Sequence, residues 1–157
     1  MPRVCVIGSA NLDYTVALPR LPRVGETVSA GTLLINRGGK GANQAVAARR
    51  LGAEVRMIGC VGDDEAGGDM RRGLAAEGIG VDRLATVPGV ATGTALIFVD
   101  REGRNMIGVA PGANHSSRWR WPGVGKTRSA GRRWRSASSR FRCRWSGGRS
   151  RPRAVRG

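Results

Sequence analysis

The sequence runs out of carboxylates early. Glu102 is the last Asp or Glu in 157 residues, so nothing after it can serve as a carboxylate general base, hold a divalent cation through a carboxylate, or offset positive charge. Aromatics are scarce at 4% of the chain, and all four tryptophans fall after residue 114. Cysteine is limited to Cys5, Cys60 and Cys143. Their odd number and wide spacing fit neither a disulfide framework nor a metal motif, and they point to reduced thiols in a cytoplasm. Met1-Pro2-Arg3 opens no apolar h-region, and no apolar run approaches membrane-spanning length, so neither a signal peptide nor a membrane span is expected.

Positive charge is the opposite case, abundant but unevenly placed. Residues 1–114 carry 13 Lys+Arg against 11 Asp+Glu, while residues 115–157 carry 14 Lys+Arg against none. The second stretch also lacks Leu, Ile, Met, Asn, Gln and Tyr. Three explanations compete for it. It could be a nucleic-acid-binding arm, with arginines on phosphates and Trp119, Trp121, Trp134, Phe141 and Trp145 stacked on bases. It could be a membrane-surface segment of the Arg/Trp type. It could be the product of a frameshift just after Asn114 in a G+C-rich gene, because its alphabet is largely that of G- and C-rich codons. The frameshift best accounts for the abrupt change, and residues 115–157 are expected to be irregular. Pro122-Gly123-Val124-Gly125-Lys126-Thr127 resembles the end of a P-loop, but that motif needs glycine at position 120, which is arginine.

The first 114 residues read as one α/β unit. Val4 to Gly8 is a short apolar run ending in glycine, as in a buried parallel strand. Ser9 to Asp13 follow its C-terminal end, where open α/β sheets bind ligands, so Asn11 and Asp13 are either ligand contacts or an Asx-type turn. Tyr14–Leu18 and Val28–Asn36 read as strands of a small flap, with a turn over Val24-Gly25-Glu26-Thr27 and Gly31 as a candidate bulge. Gln44–Leu51 is a helix closed by Gly52. Val55–Val61 is a second sheet strand. Asp63, Asp64 and Glu65 suit a helix N-terminus better than a metal site. Met70–Ala76 carries that helix, Gly78 ends it, and Val81–Val87 is a strand. Thr94–Asp100 and Asn105–Val109 flank a turn at Arg101–Arg104, as in a hairpin.

The chain is organised around Gly38-Gly39-Lys40-Gly41-Ala42-Asn43, directly before the first helix. Glycine allows close backbone approach and positive φ, and the first helical turn presents unpaired N–H groups. Lys40 adds a cationic donor, and Asn43 adds both donors and an acceptor. The hexapeptide suits a seat for a polyhydroxylated or anionic ligand, or equally a helix start packed tightly through its glycines.

Five segments together resemble the ribokinase family, within the PfkB group of carbohydrate kinases. They are Gly8-Ser9-Ala10-Asn11-Leu12-Asp13, Gly25-Glu26-Thr27, Gly38 through Gln44-Ala45, Val61-Gly62-Asp63-Asp64, and Thr92-Gly93-Thr94-Ala95 through Pro111-Gly112-Ala113-Asn114. The resemblance covers residues 1–114. It implies the N-terminal half of a three-layer α/β sandwich with a β-sheet lid over about 14–37 and 92–110. It implies ATP-dependent phosphorylation of D-ribose at the 5-hydroxyl, with Mg²⁺ and, in addition, a monovalent cation as cofactors.

On the same resemblance, Asn11, Asp13, Gly39, Lys40, Gly41 and Asn43 would bind the sugar, and Ala95 and Val109 would be apolar lid contacts. A second copy would join through the lid. The family's catalytic base and nucleotide-binding residues lie in a later half for which this chain has no counterpart, so no catalytic and no metal-binding residue is assigned. The expectation is an inactive, truncated kinase that associates through uncovered strand edges and apolar faces. Alternatives are a fragment of another PfkB sugar or nucleoside kinase, or a non-catalytic sugar- or nucleic-acid-binding protein.

Overall fold

The computed structural model describes residues 1–29, 32–116 and 135–136. Two four-stranded sheets share the chain. The first has strand order β5-β4-β1-β8, and the second β3-β2-β6-β7. In the first, β1 (Arg3–Ile7) pairs in parallel with β4 (Glu54–Gly62), and β4 with β5 (Gly80–Val87). The two-residue β8 (Arg135–Ser136) lies parallel to β1 on its other side. This is a small departure from the irregular tail expected from the sequence; everything else expected of residues 117–157, Cys143 and the nucleic-acid and P-loop readings included, lies outside the described residues.

α1 (Lys40–Arg50) connects β1 to β4, and α2 (Glu65–Ala76) connects β4 to β5. Both steps move the same way across the sheet, so right-handed crossovers place both helices on one face. One core results. Val6, Val55, Met57, Val61 and Leu84 from the strands meet Ala42, Ala45, Met70 and Leu74 from the helices. Met70 and Leu74 stand one turn apart, the spacing that aims two side chains at one surface. α1 turns only small residues inward, Gly41, Ala42 and Ala45, so it can lie close to β1. Along β4 the alternation is visible: Val55 and Met57 are buried, while Glu54 and Arg56 are exposed. The opposite face, with Cys5, Ile7 and Ile58, is only half-buried among the described residues.

The second sheet is the lid. β2 (Asn11–Ala17) pairs antiparallel with β3 (Thr32–Gly38) and parallel with β6 (Gly93–Val99); β6 pairs antiparallel with β7 (Asn105–Ala110). At its tip Asp100 shapes the β6–β7 turn by accepting from the Glu102 and Arg104 amides, both at 3.0 Å. The strand boundaries differ from the sequence expectation. The lid starts at Asn11, so Asn11 and Asp13 belong to a strand rather than to a turn. β3 covers 32–38 rather than 28–36; Gly31 lies outside the described residues. α1 begins at Lys40 rather than Gln44. In each case pairing or packing overrides weak local propensity for Asn, Asp and Gly. Among the described residues, no helix is long and apolar enough to cross a membrane.

Candidate functional site

The site forms where β1 ends, α1 begins and the lid rises. Gly8 and Gly41 bring two backbones into contact: a Cβ on Gly41 would stand 2.7 Å from Gly8 Cα. Gly39, the N-cap of α1, has φ +92°, a conformation that glycine adopts without strain. A Cβ there would stand 2.8 Å from both the Asn11 nitrogen and the Ser9 carbonyl oxygen. The helix start is thereby pressed onto the root of β2. The Ala42 amide donates to the Ser9 carbonyl at 3.0 Å, and the Asn43 amide to the Gly39 carbonyl at 2.9 Å. No acceptor for the Lys40 and Gly41 amides is found among the described residues. The Lys40 and Asn43 side chains are exposed on the same turn, three residues apart, close enough to face one ligand.

Asp13 stands beside Gly38, just before this turn. Its carboxylate occupies the space beside Gly38 that a side chain would need, since a Cβ on Gly38 would fall 1.9 Å from Asp13 Oδ2. Asp13 Oδ1 is buried and has no hydrogen-bond partner among the described residues. Burial pushes the Asp13 carboxyl above its usual range, because desolvation disfavours the charged form. A buried acceptor without a donor is costly, and a hydroxyl or amine from a ligand would relieve it.

The lid continues the site sideways. Asp13 pairs with Asn36 on β3 and Ala95 on β6, and Ala95 pairs with Val109 on β7. The four residues form one row on one face of the sheet, stepping about 4.8 Å per strand. Ala95 is buried beside Asp13, and Val109, at the far end of the row, is 57% exposed.

Asn114 was not singled out from the sequence as a site residue, yet it fixes one. Its Oδ1 accepts from the Ala10 amide at 3.0 Å, and its Nδ2 donates to Asn11 Oδ1 at 2.8 Å and to the Ala10 and Pro111 carbonyls at 3.1 Å each. Asn11 therefore has its oxygen engaged and its NH₂ left to donate. The only sequence signal for Asn114 was its place at the end of Pro111-Gly112-Ala113-Asn114.

Asp64 takes a structural role. As N-cap of α2 it accepts from the Gly67 amide at 2.9 Å, from the Thr92 amide at 2.8 Å and from the Thr92 hydroxyl. Thr92 Oγ1 in turn accepts from the Gly62 amide at 2.9 Å. Burial raises the Asp64 carboxyl, but the Thr92 and Gly67 hydrogen bonds outweigh it and hold the group below the usual range. Asp63 accepts from the Gly89 amide. Among the described residues no three His, Cys, Asp or Glu side chains gather to hold a metal.

The profile of pfkB family carbohydrate kinases matches residues 1–127, running past Asn114. The chain is 46% identical over 114 residues to the ribokinase of Bacillus subtilis, a match over 73% of this chain and 39% of that protein. Among solved structures it is similar to the ribokinase of Cryptococcus neoformans var. grubii serotype A in complex with ADP, with a TM-score of 0.68 and 41% identity over 72% of this chain and 36% of that one. It is also similar to the ribokinase of Arabidopsis thaliana complexed with ribose and ATP, with a TM-score of 0.63 and 37% identity over 72% of this chain and 37% of that one. The chain thus spans a little over a third of the length of the relatives it matches.

Proposed function

The chain belongs to the pfkB family of carbohydrate kinases, and from that premise we propose that residues 1–116 form the sugar-binding part of an ATP-dependent kinase for D-ribose. The observation that carries this is Asp13 Oδ1, buried without a donor among the described residues, on a carboxylate set against Gly38 just before α1. Asp13 accepts from ring hydroxyls; Asn11 and Lys40 donate; Asn43 does both. Gly39 and Gly41 let the backbone approach the ring, and Ala95 and Val109 cover its apolar side. The matched ribokinases, one of them with ribose and ATP bound, support the choice of sugar.

ATP supplies the transferred γ-phosphoryl group. The described residues do not fit a metal–nucleotide site: Asp63 and Asp64 are committed to backbone and Thr92 donors, and no other carboxylates join them. No step of transfer is therefore assigned to these side chains. No Asp or Glu follows Glu102 in these 157 residues, and the proposal is that they do not by themselves transfer the phosphoryl group. A general base alone contributes about 10²–10⁴-fold in rate.

The lid supports a second element of the proposal, a homodimer. Leu33, Ile35, Leu96 and Met106 lie on one face of it, and Leu34, Ile107 and Val109 on the other, each at least 50% exposed. Apolar area of that kind favours burial against a second copy.

Calorimetric titration of the purified chain with D-ribose tests the proposal. Ribose-dependent heat, no ribose-dependent ATP hydrolysis and a sedimenting mass of two chains are expected. Absence of ribose binding, with the chain shown folded by circular dichroism, would remove the sugar-seat reading. Ribose-dependent ATP turnover would remove the inactive one.

A further inference from the structure

α2 carries three glycines that helix propensity alone disfavours, and two of them, Gly67 and Gly73, each receive a root of the lid. A Cβ on Gly67 would stand 2.3 Å from the Gly62 carbonyl oxygen and 2.9 Å from Thr92 Oγ1. A Cβ on Gly73 would stand 2.4 Å from both Cδ and Nε of Arg37. Thr92 leads into β6, and Arg37 is the next-to-last residue of β3. These two strands flank β2, which carries Asp13. Arg37 does more than rest on Gly73. Its Nε and one terminal nitrogen donate to the two carboxylate oxygens of Asp69 on α2, both at 2.8 Å. This fork-on-carboxylate geometry fixes direction as well as distance. The Arg37 hydrogen bonds hold the Asp69 carboxyl below its usual range.

We propose that Arg37 is a positioning residue for the sugar seat: clamped by Asp69 over Gly73, it sets where Gly38 and Gly39 lie relative to Asp13. The proposal rests on the sugar-seat reading above. Gly38 follows Arg37 directly, pairs with Asn11 and lies beneath the Asp13 carboxylate. If β3 swings away from α2, Gly38 moves from under that carboxylate and Gly39 from its contact with Asn11. The Thr92–Asp64 contact, with Thr92 2% exposed, is the fixed root. The Arg37–Asp69 pair, half-open to solvent, is the adjustable one.

Gly73→Ala separates positioning from stability. Alanine favours a helix interior over glycine, so the helix itself gains. The added methyl's three nearest atoms are Arg37 Cδ, Nε and Cζ, so it displaces the outer part of that side chain. Amide hydrogen exchange and D-ribose titration are measured on the full chain, on Gly73→Ala, Arg37→Ala and Asp69→Asn, and on the swap Arg37→Asp with Asp69→Arg. Gly73→Ala, Arg37→Ala and Asp69→Asn are expected to speed exchange at Leu12 and Gly38, leave β4 protected, and weaken ribose binding about two- to fivefold, the range of a half-exposed pair. The swap is expected to recover part of that loss. Unchanged exchange at Leu12 and Gly38 in all three variants overturns the proposal, as does unchanged ribose affinity in variants of a parent that binds. If the parent binds no ribose and the variants still loosen Leu12 and Gly38, the sugar-seat reading falls and, with it, the assignment of Arg37 to that seat.

Discussion

Two aspartates at the two ends of the lid's base show how differently this fold uses the same side chain. Asp64, at the root of β6, is exposed to solvent, yet both of its oxygens are taken by protein donors. Asp13, on the neighbouring strand, has one buried oxygen, Oδ1, without a donor among the described residues. Their titrations follow: hydrogen bonds from Thr92 and Gly67 hold the Asp64 carboxyl down despite its partial desolvation, and burial pushes Asp13 up. A protein that leaves a buried carboxylate oxygen unpaired accepts a loss of stability. Such a loss persists where a ligand makes it good. The satisfied carboxylate of Asp64 builds the frame, and the unsatisfied oxygen of Asp13 is the one on which the proposed sugar seat rests.

The sharpest way to break the contrast is at Asp13. Asp13→Asn keeps the size and removes the charge. We expect ribose affinity to fall about 100-fold, or about 2.7 kcal/mol, because charge-assisted hydrogen bonds to hydroxyls are lost. The melting temperature at neutral pH is expected to hold or rise, because a desolvated charge has been removed. Calorimetry paired with thermal melts reads both. A variant that binds ribose like the parent, or one that melts well below it, would place Asp13 among the structural carboxylates.

At Asp64 the expected signs reverse. Asp64→Ala removes an N-cap and leaves the Thr92 amide without its acceptor. Loss of a cap costs about 0.5–2 kcal/mol, and with the second orphaned amide the total is about 2 kcal/mol. Ribose affinity measured at a temperature where the variant is folded should change much less than in Asp13→Asn. Chemical denaturation of parent and variant gives the stability difference directly. A stability loss under about 0.5 kcal/mol, the scale of ordinary surface changes, would show that the Asp64–Thr92 bonds do not hold the lid's root.

The sequence made the frame easier to see than the site. Alternation along β6 and β7, the apolar run of β4 and the glycines at 52 and 78 mark elements through local chemistry, and the structure has them in place. Boundaries failed where local and long-range preferences disagree. Lys40-Gly41-Ala42-Asn43 looks like loop, but Gly41 packed on Gly8 draws it into α1. Asn11 and Asp13 are poor strand formers, yet pairing with Gly38 and Asn36 on one side and Gly93 and Ala95 on the other carries them into β2. Asn11, Asp13 and the glycine turn could be proposed because their chemistry is local. Asn114, which reaches across 103 residues to Asn11, and Arg37, which reaches 32 residues to Asp69, could not. A side chain's partner across the fold leaves no periodic trace.

The last test uses acid to separate the two regions within one molecule, and its expected effect is the smallest because Asp13 is only partly buried. Asp64 and Asp69 have folded pKa values below their unfolded ones. The stability they contribute is present above an ordinary aspartate pKa of about 3.9 and is lost as pH falls through the lower folded values. Asp13 is displaced the other way. It binds its proton in the folded state at a pH above about 3.9, so its burden on stability is absent in acid and grows as pH rises through the folded pKa. Descending from neutral pH, ribose affinity should weaken first, as Asp13 loses its charge, while Asp64 still holds Thr92 and Asp69 still holds Arg37. The far-UV spectrum should change only at lower pH. Ribose titrations and circular dichroism on the same samples, stepped from about pH 7 to about pH 3 across the carboxylate range, follow the two events. Loss of binding and of fold at one common pH would mean that Asp13 titrates with the frame. Asp13→Asn, whose ribose affinity should show no such acid-dependent decline while its frame survives, provides the internal control.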